Sequence, residues 1–144
     1  MKEPRFSLGV EEEYLVVDKA TRDLVEDLPP ALLEECEALS QGQQVKPEFM
    51  RSQIEIGTRV CATVAEARES LRVLRRSVID ATAVHGLSPL AVSTHPFANW
   101  HRQEHTARQR YDVLSQEMQA AAWRMVISGM HVHVGIEDDE LRVD

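Results

Sequence analysis

The chain has 144 residues, 43% of them hydrophobic and 28% charged, with a formal net charge of −8. That length supports a single domain over residues 1–144 with one sizeable core. No apolar run is long enough to span a bilayer as a helix, and the basic residues are too scattered for a nucleic-acid footprint, so neither a membrane nor a nucleic acid is an expected partner.

The opening residues, "MKEPRFSLG", carry charge without the apolar stretch of a signal peptide, which makes the cytoplasm the expected location. "RFSLGVEEEYLVVD" reads as a strand that closes in Asp18 and the polar "KATRD", with "LVED" as a candidate hairpin partner. Strand alternation puts Glu11 and Glu13 on one face with Gly9 and Leu15. Glu12 falls on the other face with Val10, Tyr14 and Val16. Two carboxylates about 7 Å apart along one face either hold a divalent cation or stand harmlessly on a solvent-facing sheet edge.

"LPPALLEECEALSQG" reads as a short helix, with Pro29 and Pro30 at its start and Gly42 just past its end. Cys36 and Cys61 are too few for a disulfide framework and read as reduced thiols. "VKPEFMRSQIEIGT" reads as one extended segment in which Gln53 and Glu55 share a face opposite Ile54 and Ile56. Glu48 has the wrong parity to join Glu55 unless "PEFMRS" holds a bulge or irregular stretch, which Pro47 favours.

The clearest helix starts at Thr63, where "TVAE" forms a capping box with Glu66. Leu71, Leu74, Val78 and Ala81 then recur at helical spacing until Gly86. Arg72, Arg75 and Arg76 on this helix are the one local concentration of basic residues. "GLSPLAVSTHPF" reads as a short strand entering a turn at His95-Pro96, and a second long helix is expected from about Thr106 to Arg124. "MVISGMHVHVGI" reads as a final strand, with His131 and His133 on the face opposite Met130, Val132 and Val134. Strands set between helices, with at least one hairpin, predict an α+β domain with a mixed or antiparallel sheet.

An H-x-H pair on a strand suits metal binding, because both imidazoles point the same way, though a core histidine beside an exposed one is the commoner arrangement. Three extended segments that each aim carboxylate or imidazole to one face and bury apolar residues on the other make a stronger pattern. Oxygen-rich ligands with one or two histidines favour Mg²⁺ or Mn²⁺ over a structural zinc site. No glycine-rich phosphate loop is present, so a nucleotide would be held through metal and basic side chains.

"LGVEEEYLVVD", "EFMRSQIEIGTRVC", "STHPFANWHRQ", "RY" at Arg110-Tyr111 and "ISGMHVHVGI" occur in this order, and together they resemble the carboxylate–amine ligases of the type 2 glutamate–cysteine ligase family. The resemblance runs from about Ser7 to Asp144. It implies a partial glutamine synthetase-like catalytic fold, in which an antiparallel sheet curves around metal ions and ATP. It also implies metal ligation by Glu11, Glu13, Glu48 and Glu55, and a metal-ligand or nucleotide-side role for His131. His133 stands next to it on the nucleotide side, where distant relatives often carry an amide.

The implied reaction is ATP-dependent: a substrate carboxylate attacks the γ-phosphate, and an amine displaces phosphate from the resulting acyl phosphate to form an amide. Arg110 would pair with a substrate carboxylate or ATP phosphate, or else be a surface charge. His95 is as consistent with a structural turn as with substrate contact, and Trp100 and Trp123 read as packing residues. Family members are more than twice this long, so the resemblance implies an N-terminal half, with a C-terminal half or a homo-oligomer as partner. Two other readings stand beside the ligase. One is a metal- or partner-binding remnant without turnover, and the other, ranked last, is a metal-dependent hydrolase that uses the H-x-H pair.

Overall fold

β1 (Phe6–Asp18) is the strand expected at the N-terminus, and the rest of the sheet is assembled on it. The computed structural model describes residues 5–107 and 126–142. After β1 come α1 (Leu32–Leu39), β2 (Gln44–Pro47), β3 (Gln53–Gly57), α2 (Val64–Val84), β4 (Leu87–Leu90), a 3-10 turn (Trp100–Arg102) and β5 (Met130–Ile136). Every strand pairing among the described residues is antiparallel, so the α+β expectation holds with the antiparallel alternative. One edge of β1 pairs with β3 over Glu11–Leu15, and β2 pairs with the far side of β3. The other edge is shared: β5 takes Phe6–Glu12 and β4 takes Leu15–Asp18.

"VKPEFMRSQIEIGT" is not one extended segment but the hairpin β2–β3, with residues 48–52 turning between the strands. The sequence there lacks a glycine or asparagine turn signal, and the turn is instead held by a distant segment. Phe49 O accepts from Thr106 N at 2.7 Å, Glu104 O accepts from Arg51 N at 3.0 Å, and Met50 bridges to His105. "LVED" contributes only a bridge from Leu24 to Val17, since Ser52 O already accepts the Val16 N–H on that edge.

α2 follows its capping box: Thr63 Oγ1 accepts from Glu66 N at 3.2 Å, and Glu66 Oε2 accepts from Ala62 N at 2.9 Å. Its inward stripe, Ala67, Leu74, Val78 and Ala81, is buried, and Gly86 takes the left-handed conformation (φ 70°) that ends it. Leu74 and Val78 meet Tyr14, Val16, Ile54 and Ile56 of the sheet and Leu32 and Cys36 of α1 in the main core. Each such side chain contributes about 2 kcal/mol by leaving water. A second cluster, Leu15, Val17, Leu24, Phe49, Met50 and Val126, covers the opposite face at one end, with Trp100 packed against it. Cys36 and Cys61 are buried free thiols. No described helix is long and apolar enough to cross a membrane.

The apolar face of the last strand is not buried as expected. Met130, Val132 and Val134 lie on the α2 side of the sheet but are 59, 58 and 54% exposed. α2 lies over β4, β1 and β3 and leaves β5 uncovered. The regular strand also begins at Met130, while residues 126–129 join the sheet through an Ile127 bridge to Thr94 and a hydrogen bond from Glu13 N to Gly129 O. The second long helix expected from about Thr106 to Arg124 lies mostly outside the described residues, as do Arg110, Tyr111 and Trp123.

Candidate metal centre

The face of β1 that carries its odd-numbered residues changes character along its length. Leu15 and Val17 seal the second core cluster, and one step toward the N-terminus the same face presents Glu13 and then Glu11. Register places Glu13 directly across from Glu55 on β3, and Glu11 across from His131 on β5. Like charges directly opposed on neighbouring strands destabilise a sheet unless something intervenes between them.

Glu48 reaches this face because the 48–52 turn breaks strand alternation, the condition on which its membership depended. Its carbonyl accepts from Thr106 Oγ1 at 2.6 Å, and Ser52 Oγ donates to Gln103 Oε1 at 2.6 Å, so residues 103–106 strap the turn down. Glu13, Glu48 and Glu55 each bring a carboxylate oxygen within 4.8 Å of the other two. Glu13 is held further by Gly129, whose N–H donates to Glu13 Oε2 at 3.0 Å. Gln53, on the same face, donates through Nε2 to Ile127 O at 2.6 Å and ties β3 to that segment.

Glu55 is the least exposed of the cluster, at 6%. Burial, with the charges of Glu48 and Glu11, pushes its carboxyl above the ordinary carboxylate range against the pull of Lys46. Lys46 Nζ, opposite Glu55 on β2, pairs with Glu55 Oε1 at 2.7 Å. A buried carboxylate facing two further carboxylates within 4.8 Å is an oxygen donor set for a hard divalent cation, Mg²⁺ or Mn²⁺. These residues fit the ion that the family pattern implies.

Glu11 and the histidines form a neighbouring group. His133 Nε2 lies 3.0 Å from Glu11 Oε2 and His131 Nδ1 lies 3.8 Å from it. Both histidine side chains are at least 60% exposed, their rings are 6.3 Å apart, and neither belongs to the group formed by Glu13, Glu48 and Glu55. His95 is elsewhere: it is buried, with Nε2 3.0 Å from Arg22 O and Nδ1 accepting from Phe97 N at 3.4 Å. That arrangement fixes a turn.

Glu12 points the other way, as alternation requires, and is only 6% exposed. Tyr14 donates to Glu12 Oε2 at 2.5 Å, and Arg75 of α2 grips both carboxylate oxygens, with Nε 2.9 Å from Oε2 and Nη2 on Oε1. Burial alone would raise the Glu12 pKa, but the hydrogen bonds from Arg75 and Tyr14 and the Arg75 charge outweigh it and hold the carboxyl below its usual range. Neither Arg75 nor Lys46 was expected here. A carboxylate on a core-facing parity was the available signal for Arg75, because a buried charge requires a partner. Beside this ion pair a cleft of about 730 Å³ opens where β4 and β5 part, walled by Glu12, Glu13, Arg75, Ser93, Ser128 and Met130.

The model of glutamate–cysteine ligase family 2 matches residues 7–144. The "Putative glutamate–cysteine ligase 2" of Rhodospirillum rubrum is 50% identical over 147 residues, covering 100% of this chain and 38% of that protein. The protein of the same name from Paracoccus denitrificans is 54% identical over 143 residues, covering 99% of this chain and 38% of its own length. The chain therefore spans well under half of the relatives it matches. Among solved structures, a glutamate–cysteine ligase from Francisella tularensis in complex with AMP superposes with a TM-score of 0.74 at 18% identity, over 99% of this chain and 29% of that one. A bifunctional glutathione synthetase from Pasteurella multocida gives 0.71 at 16% identity, over 96% and 18%. These two likenesses concern the fold, and the sequence matches decide the family: this chain belongs to glutamate–cysteine ligase family 2.

Proposed function

We propose that this chain forms the divalent-cation part of the site of an ATP-dependent carboxylate–amine ligase that joins a glutamate-type acid to a cysteine-type amine. One observation carries the reading: Glu13, Glu48 and Glu55, from two strands and the turn between β2 and β3, converge within 4.8 Å. Those three residues, with Glu11 beside them, would hold Mg²⁺ or Mn²⁺. The ion would neutralise charge on the nucleotide phosphates and orient the attack on them. His131 and His133 are the proposed nucleotide-side residues, and the AMP bound to the Francisella tularensis neighbour supports a nucleotide as ligand. Arg110 is the proposed partner of a substrate carboxylate or a phosphate.

In this reading the acid's carboxylate displaces ADP at the γ-phosphate, and the amine then displaces inorganic phosphate from the acyl phosphate. Remaining groups of the site would come from the length that the relatives have and this chain lacks, or from a second copy. The cytoplasm, with its ATP and small-molecule acids and amines, is the proposed location. A second reading, a metal- or partner-binding unit without turnover, is favoured by the uncovered Met130, Val132 and Val134.

The test is ADP release by this chain and by Glu55→Gln, with ATP, Mg²⁺, glutamate and cysteine. Release that needs both the acid and the amine, and is lost in the variant, supports ligation. Release indifferent to either substrate overturns it, and Mn²⁺ binding without turnover selects the second reading.

A further inference from the structure

Residues 14–17 of β1, "YLVV", are buried on both faces of the strand, so the apolar pattern alone specifies its register weakly. A slip of one residue would turn Glu11 and Glu13 under α2 and leave Glu12 alone on the open face. The stretch at risk is paired to β3 on one edge but thinly supported on the other. On the edge shared by β4 and β5, strand pairing stops at Glu12 and resumes at Leu15, and Glu13 meets only Gly129 there. The 730 Å³ cleft lies against that gap, on the side of Arg75.

Gly129 meets Glu13 from the edge of this gap, and from the α2 face Arg75 and Tyr14 grip the side chain of Glu12 beside it. Glu12 is buried while the Arg75 side chain is half exposed, so the carboxylate is held at the one place where the arginine reaches it from α2, and fixing register is the best-attested use of a charge held out of water in this way. Glu12 occupies the one backbone position that lies between the two carboxylates of the open face. We infer that Arg75, with Tyr14, is a positioning residue for the acidic site. Holding Glu12 beneath α2 determines that Glu11 and Glu13 face Glu48, Glu55 and the histidines. This rests on the metal reading above and assigns that site a residue on the opposite side of the sheet.

Charge and position pull in opposite directions when Arg75 is removed, which makes the inference testable. Deleting a positive charge near a cation site would by itself strengthen cation binding, so weaker binding identifies loss of position. The experiment is Mn²⁺ titration by electron paramagnetic resonance, with thermal unfolding in parallel, on the 144-residue chain. Its variants are Arg75→Met, Tyr14→Phe, Glu55→Gln and Arg76→Met. Arg76 sits on the same helix but pairs with Asp80, so its variant matches the charge change without touching Glu12.

Arg75→Met should weaken Mn²⁺ binding about ten-fold, the lower end of what loss of a supporting residue costs a metal site. Tyr14→Phe, which removes one hydrogen bond and leaves the packing, should weaken it about three-fold. Arg76→Met should bind as the wild type does or slightly tighter. Unchanged affinity in a folded Arg75→Met chain overturns the inference, as does equal weakening in Arg76→Met. If Arg75→Met does not fold, unchanged affinity in Tyr14→Phe overturns it. Wild-type binding that survives Glu55→Gln, or no wild-type binding at all, overturns the metal reading itself and this inference with it.

Discussion

β3 and β5 both pair antiparallel with β1, yet they are opposites in burial. All five residues of β3 are buried, including Gln53 and Glu55, whereas six of the seven residues of β5 are exposed on both of its faces. On β3 a charged side chain is held in a dry, fully constrained place, where electrostatic interactions are strong. On β5 the backbone ladder to β1 chiefly sets position, and the histidines, though His133 meets Glu11, stay open to water. The acidic cluster lies at the boundary: Glu13, Glu48 and Glu55 stand toward the finished side of the sheet, and His131 and His133 on the unfinished side.

The sharpest way to break this contrast is on the finished side. Ile54→Ala empties a fully buried position beneath α2 and should cost about 3 kcal/mol in urea unfolding. Cys36 reports on the same core. Burial, with the charges of Glu35 and Glu37, pushes its thiol up from 9.0 to about 11. A pKa raised by folding gives stability that is present below the unfolded value and lost as pH rises through the folded one. The wild-type chain should therefore lose roughly 2 kcal/mol relative to Cys36→Ala between pH 9 and pH 11 in paired unfolding curves. On the unfinished side, Val132→Thr should change stability by less than about 0.5 kcal/mol. A large loss there would mean that the outer face of β5 is covered in solution, and the contrast would fail.

Much of the site was legible from alternation. The split of Glu12 from Glu11 and Glu13, the shared face of Gln53 and Glu55, and the capping box at Thr63 all follow from periodicities of two and 3.6, which local chemistry enforces. The membership of Glu48 was legible only as a condition, because a turn without glycine or asparagine is held by contacts more than fifty residues away, such as Thr106 to Glu48. Arg75 and Lys46 were not legible as partners, since both meet their carboxylates through tertiary packing or cross-strand register. The openness of β5 was hidden for a related reason: alternation assigns a side chain to a face and says nothing about what covers that face.

The strap at residues 103–106 also bears on the order in which the molecule comes together. β2 and β3 are adjacent in sequence and can pair early, whereas the Thr106 contact to Glu48 closes 58 residues and the Gly129 contact to Glu13 closes 116. Loop closure of that span must be met before such contacts give any return, so they belong to the slow, late part of folding. Glu48 is thus fastened opposite Glu13 and Glu55 only once the surrounding scaffold is set, and the chain is spared that third carboxylate's repulsion while it is still searching for its fold.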